Sequence, residues 1–499
     1  MRARRRALLC LTAAAALIVA PATGAFAQKA FSRGPSSGVG TSPPPSSPPR
    51  GGSDGGYRGG GHRGPGWGGV TGVAPGVPAA GATFIADGSA DDGAPRRRAS
   101  QRTARRGPSG APPVGERRLV PDEVVIEVPN SVSQQQIDAL QRRHRLTRIE
   151  SQRLALTGTT MFRWRIPDRR SVPAVIRALE ADRVVASAQP NYLYTLQEDA
   201  AKPDAVPEGD AAQYELAKLH LPQAHALAKG DGITIAVIDS GIDATHPELA
   251  GSVTGALDVV APSAPLNKHG TAIAGLIAAH GKLMGAAPNA RILNVRTFGA
   301  AGTGNTFNIL RALDWATASG ARIINMSFAG PADPMIQRGL EAASKKGIIL
   351  VAAAGNAGET SPPLYPAAYP NVIAVSGTDA DDKIFVQSNR GRHIAIAAPG
   401  ADIFVAIPDG GYEVSSGTSY SAAEVSGIIA LMLERKPNLT PEGARSILAA
   451  TAKDIGPKGR DVLFGAGLAD AYGALMAEGA PLAAVPAKEP VERVSTGAR

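Results

Sequence analysis

The chain has 499 residues, a formal net charge of +9 and one cysteine, Cys10. A lone thiol in an apolar run near the amino terminus excludes a disulfide framework, metal–thiolate sites and a cysteine nucleophile from the rest of the chain. Ser, Thr, His and carboxylates are left for covalent chemistry. The charge is +12 in residues 1–118, +2 in 119–198 and −5 in 199–499, so the basic balance belongs to the first segment and no nucleic-acid partner is expected for the body of the chain.

Arg2, Arg4, Arg5 and Arg6 precede the apolar run Ala7–Ala20, and Ala25-Phe26-Ala27 offers small residues at the positions a signal peptidase reads. Residues 1–27 are therefore expected to be a secretory signal cut before Gln28. An uncleaved anchor is the alternative, but the run is short for a bilayer. No other stretch is long and apolar enough, so no stable membrane span is expected once the signal is removed. Residues 28–118 are rich in Gly, Pro, Ser and Arg and are expected to be disordered, as a basic tether or a passive spacer.

Order is expected from Leu119. Val124–Val128 reads as a strand, Ser131–Arg145 as a helix, Ile149–Leu156 and Met161–Ile166 as strands, Val172–Leu179 as a helix and Val184–Ala188 as a last short strand. The order βαββαβ makes residues 119–196 a small α+β, ferredoxin-like domain that leaves through an extended Gln189–Tyr194. Residues 197–212 are polar, acidic and Pro-containing, an exposed linker suited to cutting.

From residue 213 to about 476, short runs that are apolar on both faces alternate with helical stretches. The runs are Ile233–Ile238, Ile292–Val295, Ile323–Met326, Ile348–Ala352, Val372–Val375 and Ile394–Ala397; helices are expected at Thr271–Ala279, Phe307–Ser319 and Met335–Lys346. The pattern predicts an α/β domain with a mostly parallel sheet covered by helices on both faces. Residues 477–499 return to Ala, Pro and charge, as a loose tail.

Sites in such sheets collect at the carboxyl ends of strands. Asp239 follows its strand directly. His269 opens an apolar helix in Lys268-His269-Gly270-Thr271. Asn356 ends a strand in Ala354-Gly355-Asn356, and Ser419 opens a helix in Gly417-Thr418-Ser419. Each has a plain structural reading as a turn or cap residue. Together they match a serine hydroxyl, a histidine base, a carboxylate to orient it, and an amide donor for an oxyanion.

These four motifs, in the order Asp, His, Asn, Ser, make the chain resemble a subtilisin-like serine protease, a subtilase. Asn325-Met326-Ser327 and Phe464-Gly465-Ala466-Gly467-Leu468 add to the likeness. The resemblance implies that Asp239, His269 and Ser419 form the triad and that Asn356 lines the oxyanion hole. It implies that Gly302, Thr303, Gly304, Ser327, Phe328 and Ala329 hold an extended substrate by backbone pairing. Ala353, Ala354 and Gly355 are expected to wall the pocket for the residue before the cut. Residues 119–196 resemble the family's inhibitory propeptide, so the expected product is an exported, periplasmic or extracellular, autoprocessed endopeptidase. Its expected partners are protein or peptide substrates and its own propeptide.

The chain departs from the family pattern at Ala272, Phe328, Ala329 and Tyr420-Ser421-Ala422-Ala423-Glu424, where a His usually stands at Glu424. These departures leave open a second reading, a weak or inactive binding protein of the cell envelope on the same fold. No cofactor is expected for the chemistry and no metal ligands are assigned. The family's structural calcium has no assignable site here. The acidic loop of Asp379, Asp381 and Asp382 lacks a ligand spacing and reads as a solvated turn.

Overall fold

The computed structural model describes residues 109–197, 213–260 and 265–477. The expected signal, residues 28–108, the linker from residue 198 and the tail from residue 478 lie outside the described residues.

The amino-terminal domain consists of β1 (Leu119–Pro129), α1 (Gln134–His144), β2 (Thr147–Leu154), β3 (Thr159–Arg165), α2 (Val172–Glu180) and β4 (Ser187–Leu196). Its antiparallel sheet has the order β4-β1-β3-β2. Local chemistry sets the helix ends. Ser133 and Gln136 form a reciprocal capping box at the start of α1, and Arg142 and Arg143 sit in its last turn, where cations favour the dipole.

The strands alternate as their sequences do. Val124, Ile126, Phe162 and Trp164 face the helices with Ile137, Leu140, Ile176 and Leu179, while Val125 and Met161 join the core of the neighbouring domain. Order begins before residue 119: the Glu180 carboxylate accepts from Ser109 Oγ at 2.8 Å and from the Gly110 amide at 2.6 Å. The last strand also lies later than Val184–Ala188. Residues 187–196 form one continuous strand because β4 pairs with β1 at its start and with the second domain at its end.

The second domain begins with α3 (Tyr214–Lys218) and α4 (Leu221–His225). It continues through β5 (Thr234–Asp239), β6 (Val253–Asp258), α5 (His269–Ala278), β7 (Arg291–Arg296), β8 (Thr303–Asn305), α6 (Thr306–Ala318), β9 (Ile323–Met326), β10 (Phe328–Ala329) and α7 (Pro334–Lys345). It ends with β11 (Ile349–Ala353), β12 (Val372–Thr378), β13 (Ile394–Pro399), the hairpin β14 (Ile403–Ile407) and β15 (Gly411–Ser415), α8 (Thr418–Arg435), α9 (Pro441–Thr451) and α10 (Ala471–Ala477). Seven strands form a wholly parallel sheet in the order β13-β12-β11-β9-β5-β7-β6.

Helices cover both faces, α5 and α8 on one and α6 and α7 on the other. That is why β9, β11 and β12 are buried along their whole length. α8 is buried from Thr418 to Leu433. Each large apolar side chain fully buried in this way contributes about 1.5–3 kcal/mol. The first turn of α8 is thereby fixed against the carboxyl ends of the central strands, where Asp239 and Asn356 also lie. Among the described residues no helix is long and apolar enough to cross a membrane.

Candidate active site

β5 ends in Asp239, whose carboxylate is wholly buried. Such a charge is costly unless it is met by donors. Here the donors are His269 Nδ1, at 2.8 and 2.9 Å from the two oxygens, and the amide and hydroxyl of Ser240, at 2.7 and 3.1 Å. A carboxylate accepting at Nδ1 places the imidazole proton there and leaves Nε2 with its lone pair. The ring is held by its backbone as well. The His269 amide donates to Asn267 Oδ1 at 2.9 Å, and the Gly270 amide donates to Ser240 Oγ at 3.0 Å. Gly270 is required at this approach, because a Cβ there would stand 2.2 Å from Gly241 O.

Ser419 is the second residue of α8, in the turn whose amides have no intrahelical acceptor. Its hydroxyl donates to Ser327 O at 3.1 Å, and Ser327 Oγ donates back to Ser419 O at 3.1 Å. The buried chain continues inward, with Asn325 Nδ2 donating to Ser327 Oγ and Ser426 Oγ to Asn325 Oδ1. The ring of Tyr420 lies with its centroid 6.2 Å from that of His269.

Asn356 Oδ1 accepts from the amide and hydroxyl of Thr418 at 3.1 and 2.8 Å. This fixes the amide plane and leaves Nδ2 as a buried donor without an acceptor among the described residues. The loop carrying it is clamped by Asn389, which donates to Ala354 O, accepts from the Ala357 amide and sends its own amide to Gly355 O. Gly355 has φ +111°, and a Cβ would stand 2.4 Å from Asn389 Nδ2. Ala353 and Ala354 are buried at the end of β11.

The cleft beside Ser419 holds the end of the amino-terminal domain. Leu193, Tyr194 and Thr195 pair antiparallel with Asn305, Gly304 and Thr303 of β8. On the other side, Thr195 and Leu196 pair with Ala329 and Phe328 of β10. The Leu196 amide donates to Gly302 O at 3.0 Å and the Gln197 amide to Ser327 O at 3.3 Å. Gln197 Oε1 accepts from the Asn356 amide at 2.8 Å. The residues expected to hold substrate thus form two short strands with the chain's own peptide between them.

A second set of contacts joins the domains. Asp333, buried at the start of α7, accepts from Gln189 Nε2 and Thr306 Oγ1, both at 2.7 Å. Burial raises its pKa above the usual carboxylate value. Nearer the surface, Arg338 pairs with Glu127 and Arg311 with Glu150.

The acidic loop does not fit a calcium site. Asp382 is met by Lys218 and Lys453, Asp381 pairs with Lys383, and Asp379 accepts from the amides of Asp381 and Lys383. Among the described residues no group of three or more His, Cys, Asp and Glu could hold a metal ion.

Sequence reasoning missed Asn267, Ser240, Thr418, Asn389 and Gln197 as contributors. Thr418 lies inside the Gly417-Thr418-Ser419 motif and Ser240 directly follows Asp239, so both could have been named. Asn267 stands two residues before His269 and contacts it locally, while Asn389 and Gln197 have only turn or linker character and reach the site through the fold.

A buried Asp–His pair, a serine at a helix amino terminus and a groove that pairs with an extended peptide define the class of α/β serine proteases. The model of the Subtilase family (Peptidase S8) matches residues 230–467. Thermitase of Thermoactinomyces vulgaris is 36% identical over 277 residues, which cover 54% of this chain and 98% of thermitase. Subtilisin Savinase of Lederbergia lenta is 33% identical over 268 residues, 52% of this chain and 97% of that protein. Fervidolysin from Fervidobacterium pennivorans, a keratinolytic enzyme related to subtilisin, shares the fold with a TM-score of 0.62 and 24% identity. The likeness covers 75% of this chain and 63% of that one. The chain belongs to the subtilase family of serine proteases.

Proposed function

We propose that this protein is an exported serine endopeptidase made as a zymogen, with residues 119–196 acting as an inhibitory propeptide that the enzyme cuts away from residues 213–476. The observation that carries this reading is the chain's own peptide, Leu193–Gln197, paired on both sides in the cleft and ending at Ser327, the residue whose carbonyl receives the Ser419 hydroxyl. An extended peptide held by backbone bonds is a substrate's posture. A folded domain fastened behind it blocks the cleft until it is released.

In the reaction, the Ser419 hydroxyl turns from Ser327 O to His269 Nε2 and attacks the scissile carbonyl carbon. His269 takes the proton, Asp239 stabilises the resulting imidazolium, and the oxyanion is met by Asn356 Nδ2 and the Ser419 amide. The peptide C–N bond breaks as His269 gives the proton to the leaving amine, and water completes hydrolysis of the acyl-enzyme. Substrates are proteins or peptides whose backbone is free to add a strand between β8 and β10. Export is supported by the basic start, apolar run and Ala-x-Ala of residues 1–27.

A fluorophosphonate, which captures an imidazole-activated serine, tests the site. One label per processed molecule is expected, with none on Ser419→Ala or His269→Ala. Labelling that survives Ser419→Ala would refute the assignment.

A further inference from the structure

The peptide in the cleft is read through two of its side chains. Tyr194 is wholly buried. Its ring stands edge-on to Phe328 with centroids 5.9 Å apart, and its hydroxyl donates to Pro331 O at 3.1 Å. The space it fills exists because residue 330 is glycine. A Cβ there would lie 2.4 Å from the tyrosine ring.

Gln197 is 8% exposed, and both ends of its amide are used. Oε1 accepts from the Asn356 amide of the cleft at 2.8 Å, while Nε2 folds back to donate to Thr195 O and Leu196 O of the peptide itself, each at 3.0 Å. Between them Thr195 is exposed, so that position is not read.

We propose that the cleft selects peptides with tyrosine at the fourth residue before the cut and glutamine immediately before it, and that the enzyme cuts its own chain at the Gln197 carbonyl. The inference rests on the proteolytic reading above. In the self-cleavage, Ser419 Oγ bonds to the Gln197 carbonyl carbon as its proton passes to His269. The peptide C–N bond breaks and the proton leaves on the new amine. Water then frees the Gln197 carboxyl group and restores the serine.

The selectivity follows from what each replacement leaves behind. Methionine in place of the glutamine takes away the acceptor of the Asn356 amide. Glutamate there turns a carboxylate toward the peptide's own Thr195 and Leu196 carbonyl oxygens. Phenylalanine in place of the tyrosine removes the partner of Pro331 O, and alanine empties the pocket.

The test uses the full chain after its own processing, assayed on the p-nitroanilide of Tyr-Thr-Leu-Gln and on single replacements. kcat/KM should fall by roughly tenfold or more with methionine or glutamate at the last position. It should fall about tenfold with phenylalanine at the first position and on the order of a hundredfold with alanine there. Replacing the threonine should change little. Gly330→Ala should invert the preference between tyrosine and alanine peptides, a ratio that does not depend on how much active enzyme is recovered. The released amino-terminal fragment should end at Gln197 by mass. Equal kcat/KM across the panel, or a fragment ending elsewhere, would overturn the inference. If no peptide is cut by the folded protein, the proteolytic reading itself falls and this inference falls with it.

Discussion

Glu424 stands five residues after Ser419, in the middle of buried helix α8, and neither of its oxygens has a partner among the described residues. Glu215, on α3, is also buried. Its Oε1 accepts from Gln213 Nε2 at 3.3 Å, and its Oε2 has no partner among the described residues. Burial pushes the Glu215 carboxyl up to about 7. It raises Glu424 well above the ordinary carboxylate value, with the charge of Glu215 adding to the effect.

Between the ordinary 4.5 and about 7, the folded state holds a proton at Glu215 that the unfolded chain has lost. Stability from this group is thus complete below pH 4.5 and is lost as pH rises through 7. At about 1.4 kcal/mol per pH decade, the loss is on the order of 3 kcal/mol at pH 8.5. Glu215→Gln keeps the site neutral at every pH and should remove that loss. The assay is thermal unfolding of the Ser419→Ala protein, which cannot digest itself, with and without Glu215→Gln at pH 5 and pH 8.5. The fall in Tm between the two pH values should be smaller in the glutamine variant by on the order of 5 °C. An identical fall in both proteins would refute the reasoning, because it would mean that Glu215 ionises in the fold without cost.

Three further outcomes follow from the same geometry. On the proposed mechanism, in which Asn356 Nδ2 meets the oxyanion, Asn356→Ala should lower kcat by about 10²–10³-fold with little change in KM; a loss confined to KM would contradict that role. Glu248 is buried and accepts the amides of Gly281, Lys282 and Leu283 and the hydroxyl of Tyr412, so Glu248→Ala should cost about 2–4 kcal/mol and speed hydrogen exchange at residues 281–283, and unchanged protection there would sink the claim. Arg338→Ala and Arg311→Ala should each weaken binding of the separately added amino-terminal domain severalfold at low salt and hardly at all at high salt, because both ion pairs are partly exposed; a salt-independent loss would point to packing instead.

The sequence was most readable where one residue type had one purpose. The six apolar runs became buried parallel strands, because each is short, β-branched-rich and apolar on both faces, which suits a sheet covered on both sides. The motif residues Asp239, His269, Asn356 and Ser419 came together because each follows a strand or opens a helix at the carboxyl end of the sheet. β6 was not foreseen: Val253–Asp258 alternates between half-buried and exposed residues at the sheet edge, so its composition resembles a loop. The β14–β15 hairpin and helices α9 and α10 were likewise unforeseen, and β8 and β10 are too short for any periodicity. The reach of β4 was misjudged because Leu193–Leu196 gains its strand partners from residues more than a hundred positions away. Gln197 owes its role to a contact 159 positions away and Asn389 to contacts 32 and 35 positions away, which no local pattern encodes.

The most direct test of the account is the intact mass of the purified chain after incubation at neutral pH, wild type beside Ser419→Ala. The account predicts that the wild type divides into an amino-terminal fragment and a mature enzyme while the Ser419→Ala chain stays whole. Equal division of both chains, or a folded wild type that never divides, would contradict it.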